Sequence, residues 1–139
     1  RSAFHHFDFE RIARFNQQDI SRLLEDEGIV RHRGKIEAVI NNAKRAKELV
    51  RQESSLAAFF WRYEPDVEQL VKPQTVTISA ESTALSKDLK KLGWKFVGPT
   101  TAYAFMQAMG LINDHVAGCV IRNKVERARK SFKRPCDEK

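Results

Sequence analysis

A histidine and a cysteine stand four residues apart near the end of the chain, at His115 and Cys119. Imidazole nitrogen and thiolate are common zinc ligands, and this spacing places two side chains on one face of a helix. A structural zinc needs four ligands, and the chain shows no second pair with ligand-like spacing among its other histidines and cysteine, His5, His6, His32 and Cys136. From the residues alone, a buried cysteine near a helix-terminal histidine is therefore favoured over a metal site.

A second candidate site is the turn LKKLGWKFVGPTT, residues 89–101. Gly93 permits the left-handed cap that ends one helix, and Gly98 lets a ligand approach the backbone. Pro99 or Thr100 begins the next helix, with Thr100 or Thr101 as its cap. The apolar pair before Gly98 is expected to fill the gap between the two helices.

The free N–H groups and positive dipole end of that second helix suit a phosphate. The turn therefore resembles a helix-hairpin-helix, which holds DNA through its backbone without reading sequence. The predicted DNA-binding residues are Lys95, Phe96, Val97, Gly98 and Thr100. The alternative is a plain helix corner with a solvated lysine face, and the pattern by itself favours that alternative.

The charge of this 139-residue chain is basic but uneven. The formal net charge is +7, and the segment from Arg122 to Lys139 has eight lysines and arginines against three acids. Such an excess indicates a polyanionic partner or a solvated basic tail. No apolar run approaches the roughly 18 residues of a membrane span, and the first residues lack the order of a signal peptide. We expect a helical domain over 4–120 and a basic C-terminal tail over 121–139.

The elements that carry these sites are predicted to be helical. Apolar spacing predicts helices near 34–50, 83–92 and 100–109, and a last helix from about His115. Asp19 and Gly28 are expected to begin and end an earlier helix. The stretch 65–78, with two prolines, predicts an extended connection. The basic run around His32 could contact phosphate, although a solvated helix start is the favoured interpretation.

Several separate strings share a resemblance, in order and spacing. They are FHHFD from Phe4, GIVRHRGKI from Gly28, ALSKDLKK from Ala84, GWKFVGPT from Gly93 and YAFMQAMGLINDH from Tyr103. Together they resemble the first family of bacterial DNA-3-methyladenine glycosylases over roughly residues 4–119. The resemblance implies an all-α fold of the helix-hairpin-helix DNA glycosylase superfamily.

The resemblance also implies an activity and a metal. The activity is base-excision repair: the enzyme is a hydrolase that flips 3-methyladenine out of double-stranded DNA and cleaves its N-glycosidic bond, leaving an abasic site. The implied protein is a monomer of the bacterial cytoplasm and nucleoid, without a membrane partner. The resemblance further implies a structural zinc with two His and two Cys ligands, of which His115 and Cys119 match the C-terminal pair.

The chain also departs from the family pattern. We expect the first Cys and His ligands, the acid and the aromatic residues of the base pocket to lie before Arg1. Three alternatives stay open: the chain is a fragment, it lacks its start, or it is the visible part of a longer protein. Within the chain, Asp114 is the nearest candidate catalytic acid, and a helix cap before His115 is its favoured interpretation. The alternative function is therefore a non-catalytic helix-hairpin-helix module that binds DNA.

Overall fold

A computed structural model describes residues 1–70, 72–73 and 75–135 of the chain. Within these ranges the regular structure is helical and no strand forms, which confirms the all-α prediction. The seven α-helices are α1 Phe9–Ile12, α2 Gln17–Glu25, α3 Arg33–Glu53, α4 Leu56–Trp61, α5 Ala80–Lys91, α6 Pro99–Ala108 and α7 Val120–Ser131. The helices predicted near 34–50, 83–92 and 100–109 correspond to α3, α5 and α6. Among the described helices, none is both long and apolar enough to cross a membrane.

The chain divides into two compact units, and the first contains 1–56 together with 90–96. Its core forms where α1 and α2 each contact α3, around buried residues that include Ile12, Leu23, Ile36 and Ile40. The first turn of the chain, a 3-10 helix over Ser2–Phe7, adds Phe4 to this core. The apolar residues of α3 recur at helical spacing, which is why this long helix buries one continuous face.

Two helix starts in this unit can be compared with the predictions. His32 caps α3, because its Nδ1 accepts the Lys35 N–H at 3.1 Å, which agrees with the favoured helix-start interpretation. The expected start of α2 at Asp19 is wrong. Asn16 is the cap, and Asp19 accepts the Asn16 N–H at 3.0 Å as the third residue of a capping box. The expected end at Gly28 is also wrong, since α2 ends at Glu25.

The second unit contains 57–89 and 97–139. Its buried residues include Phe59 of α4, Leu85 and Leu89 of α5, and Met106 of α6. Aromatic rings join two of these helices, because the Phe60 and Phe105 centroids lie 4.8 Å apart. The connection after Pro65 has one 3-10 turn, Val67–Leu70, and no strand among its described residues.

The basic C-terminal segment contributes a helix to the second unit. Helix α7 covers Val120–Ser131, and Arg129 on it is buried. The predicted boundary between a domain over 4–120 and a basic tail over 121–139 stays a prediction. Cys136 lies outside the described residues.

Candidate functional site

The first half of the predicted hairpin belongs to the first unit, where two asparagines of α3 hold it. The Asn42 side chain accepts the Lys95 N–H at 2.9 Å and donates to the Lys95 carbonyl at 2.8 Å. Asn41 donates to the Gly93 carbonyl at 2.9 Å. These asparagines were not among the predicted site residues, because nothing in their local pattern distinguishes them from other polar residues of a helix.

Phe96 does not occupy the place that the sequence predicted. Its side chain is 60% exposed, and its backbone has a φ of +55°. The prediction that Phe96 fills a gap between helices is therefore wrong. A non-glycine residue in the left-handed region costs of order 1 kcal/mol, and such strain is concentrated at functional sites.

The second half of the hairpin, in the other unit, begins α6. Gly98 is the residue before the helix and has no side chain to cap it, and Pro99 is the first helical residue. The prediction that Thr100 or Thr101 caps α6 is wrong, because both lie inside the helix. Within the described part of the chain, no acceptor occupies their two backbone N–H groups. Two open donors at the positive end of a helix can bind a phosphate oxygen.

Glycine at position 98 is required neither by conformation nor by internal packing. Its φ of −61° and ψ of 166° are extended values that any residue adopts. A Cβ built there meets no atom within 4 Å. The space beside Gly98 is therefore open, as the close approach of a ligand backbone would require. Lys95 is exposed in the preceding half of the hairpin and carries a positive charge.

His115 and Cys119 do not share a helix face. Helix α7 begins only at Val120, and Cys119 is the residue before it. Gly118 has a φ of +88°, which interrupts any helix from His115. The predicted helix start at His115, and with it the predicted role of Asp114 as a cap, is wrong.

The donor set is compatible with half of a zinc site. The His115 side chain is exposed, and Cys119 is a half-buried free cysteine. Both donors lie on one short loop, so an incoming ion can reach them. Among the described residues, no group of three or more His, Cys, Asp or Glu side chains is placed to hold a metal. Among the described residues, His115 and Cys119 are thus two side chains of types that can bind zinc, and they do not by themselves complete a site.

Helix α7 fixes the loop that carries these two residues. Arg122 donates to the carbonyl oxygens of Asn113 at 2.7 Å and of His115 at 2.8 Å. The buried Asn113 side chain donates in return to the Arg122 carbonyl at 3.0 Å and to Glu126 at 2.7 Å. The backbone of His115 is thus held in place while its imidazole remains accessible.

Asp114 accepts two hydrogen bonds from α6. The Tyr103 hydroxyl donates to its Oδ2, and Gln107 donates to the same oxygen at 3.2 Å. Burial, and then this hydrogen bond to Asp114, raise the pKa of Tyr103 well above its usual value. Asp114, Gln107 and His115 also line an open pocket of about 710 Å³ in the second unit. The carboxylate is held by protein donors on one side and borders this pocket on the other.

The methyladenine glycosylase family matches residues 1–123, which contain the hairpin and the His115–Cys119 loop. The chain belongs to this family. The strings that carried the resemblance all lie within the matched residues of this chain. Helix α7 lies mostly beyond it.

Known proteins give the same result. The DNA-3-methyladenine glycosylase 1 of Escherichia coli is 45% identical over 123 residues, or 86% of this chain and 66% of that protein. A Haemophilus influenzae DNA-3-methyladenine glycosylase is 41% identical with the same coverage. A solved variant of 3-methyladenine DNA glycosylase I in complex with 3-methyladenine matches this structure with a TM-score of 0.80 and 34% identity. The match covers 87% of this chain and 67% of the solved chain. The chain therefore spans about two thirds of the length of these proteins.

Proposed function

We propose that this protein acts in base-excision repair by removing 3-methyladenine from alkylated double-stranded DNA. The observation that carries the proposal is the family match over residues 1–123, which includes a hairpin with open backbone donors. The relatives named above are 3-methyladenine glycosylases, and one of them was solved with 3-methyladenine. We also propose that the protein binds this DNA as a monomer, in the bacterial cytoplasm and associated with the nucleoid.

The hairpin would hold the DNA backbone while the damaged nucleotide turns out of the helix. In the second unit, the Thr100 and Thr101 N–H groups would donate to a phosphate oxygen, and Gly98 would leave room for it. The exposed Lys95 of the first unit would make a phosphate contact of its own. Extruding a nucleotide costs a few kcal/mol, and less for a damaged base. Contacts with the phosphates hold the deformed backbone during that step without reading sequence.

The reaction itself needs little nucleophilic power. Methylation at N3 gives the adenine a positive charge, so the base leaves as a neutral molecule while water adds to the sugar carbon and loses a proton. Aromatic faces would recognise the cationic ring, and a carboxylate would accept from its amino group. We do not assign that carboxylate to Asp114, whose Oδ2 already accepts from Tyr103 and Gln107.

Zinc would be held by His115 and Cys119 together with two further donors. Its contribution would be structural, because it would tie the loop before α7 to the segment that carries the other donors.

The test is base release from methylated DNA. A duplex treated with a methylating agent is incubated with the protein, and free 3-methyladenine and abasic sites are measured, with unmethylated duplex as the control. We expect both products from the methylated duplex only. DNA binding without release would contradict the hydrolase proposal and support a non-catalytic helix-hairpin-helix module.

A further inference from the structure

The inner face of α7 carries polar side chains that form hydrogen bonds within the second unit. Arg122, Val125, Glu126 and Arg129 follow the spacing of one helix face, and none of them is exposed. Arg122 donates to the Leu70 carbonyl at 3.1 Å in addition to the loop before α7. Arg129 donates to the Gly110 carbonyl and to Glu64, the latter at 2.7 Å. This helix is therefore built into the second unit.

The residues after α7 strengthen this attachment. Arg134 donates to Glu64 at 2.7 Å, and its guanidinium lies 5.5 Å from the centre of the Trp61 ring. The Phe132 ring lies 4.7 Å from Trp61. Glu64 is mostly buried and pairs with both Arg129 and Arg134. These contacts fix the orientation of α7, so that its opposite face points to solvent.

The outer face of α7 is positively charged. Lys124, Arg127 and Lys130 are exposed, and Lys133 follows the end of the helix. Within the described part of the chain, no acidic side chain pairs with any of these four cations. The cations of α7 thus fall into two groups. The inner ones form hydrogen bonds that hold the helix in place, and the outer ones form no ion pair within the described residues.

We propose that this outer face of α7 is a second contact surface for the phosphodiester backbone of duplex DNA. The proposal rests on the proposed function, and it adds a surface that lies almost entirely beyond the matched family region, 1–123. The helix advances about 4.5 Å for each three residues, so α7 sets a regular backbone spacing for Lys124, Arg127 and Lys130. A row of cations suits a chain of phosphates. From Lys124 to Ser131 this face has no large apolar side chain that a bilayer would accept.

The test replaces Lys124, Arg127 and Lys130 together by Gln and measures DNA affinity over a series of salt concentrations. Each lost phosphate contact lowers the slope of log K against log salt by about 0.9, so we expect the slope to fall by about 2 to 3. A matched control replaces Arg14, Arg51 and Lys87 by Gln, since these cations are also exposed and form no ion pair within the described residues. We expect the control to keep the parent slope.

The outcomes separate the two proposals. A parent that binds duplex DNA while the α7 variant keeps its slope would overturn the α7 surface and leave the proposed function standing. An equal fall in the control would also overturn it, because the effect would then be one of net charge. A parent that does not bind duplex DNA would count against the proposed function itself. Loss of binding to phosphatidylglycerol vesicles with an unchanged DNA slope would show that the surface is for lipid. Circular dichroism confirms that each variant is folded.

Discussion

At the scale of single residues, Gly98 separates a binding role from a folding role. Its conformation is ordinary and its Cβ would meet nothing, so the protein itself does not require glycine at this position. We therefore expect a ligand that approaches position 98, and not the fold, to require glycine there.

Replacing Gly98 by Asp should therefore weaken DNA binding without harming the fold. An aspartate before α6 would cap the helix and stabilise it by about 0.3 kcal/mol. The same carboxylate would repel the phosphate and displace its hydrogen bonds, which are worth about 1.5–3 kcal/mol when charged groups are involved. We expect affinity for duplex DNA to fall at least about tenfold while the melting temperature stays the same or rises slightly. Equal affinities of variant and parent would show that the segment is only a helix corner.

A matched change at Lys95 tests the contribution of one positive charge to DNA binding without adding a side chain to the turn. Asn42 holds the backbone of Lys95, so Lys95→Ala should leave the turn intact. The salt slope should fall by about 0.9 for one phosphate contact. Neither variant should change sequence preference, because phosphate contacts carry none; titrations on duplexes of different sequence check this.

Tyr103 makes the free energy of unfolding decrease as the pH rises into the alkaline range. Burial and the hydrogen bond to Asp114 raise its pKa in the folded state, while the unfolded chain keeps the ordinary value of about 10. The stabilisation is complete below about pH 10 and is lost as pH rises, by up to about 1.4 kcal/mol for each pH unit. Urea unfolding of the parent and of Tyr103→Phe between about pH 8.5 and 11 measures this effect. We expect the parent to lose stability more steeply than the variant, and parallel curves would refute the assignment to Tyr103.

At the scale of elements, the contact between α3 and the first half of the hairpin sets the shape of the turn. Both asparagines donate to turn carbonyls, and Asn42 also accepts the Lys95 N–H. Holding the backbone here supports the strained Phe96 that follows. The hairpin is thus organised by a helix some fifty residues earlier in the chain.

Removing the Asn42 side chain should loosen the turn. Asn42→Ala deletes two hydrogen bonds to Lys95, each worth about 1 kcal/mol, and should lower the free energy of unfolding by about 1–2 kcal/mol because the site is half-buried. The Lys95 amide should exchange its hydrogen faster, and DNA binding should weaken. Asn41→Ala is the matched control: it removes the bonds that Asn41 donates to the Gly93 carbonyl and to the Asn42 side chain, and it leaves both bonds to Lys95 in place. Unchanged protection of the Lys95 amide in Asn42→Ala would contradict this role.

The elements also show how far the sequence predicts this structure. Helices α3, α5 and α6 follow from apolar spacing, and Gly93 and Pro99 add local signals for the end of α5 and the start of α6. The loop before α7 is predicted as helix because His115 and Cys119 have helical spacing. What decides the outcome there is Gly118 in the left-handed region and the hold of Arg122 on the His115 carbonyl. The contacts of Asn42 and Arg122 join distant positions, and such pairings cannot be read from periodicity.

At the scale of the whole molecule, the zinc proposal depends on how many donors one polypeptide brings together. Structural zinc takes four protein ligands, and a complete site can contribute roughly 10–16 kcal/mol to folding. The described residues contribute two donors, His115 and Cys119, on a loop that α7 already holds. Two donors on a fixed loop can bind the ion only weakly.

We therefore expect residues 1–139 alone to bind zinc weakly, and a polypeptide that includes the other two donors to bind it tightly. In that longer protein, His115→Ala or Cys119→Ser should abolish stoichiometric zinc and lower the melting temperature, because the metal would link the loop to the rest of the fold. Metal analysis after dialysis and thermal unfolding with and without a chelator provide the two measurements. Val116→Ala is the matched control, since Val116 is exposed on the same loop and offers no donor atom. A longer protein that contains no zinc, or that keeps it in both ligand variants, would show that His115 and Cys119 are ordinary loop residues.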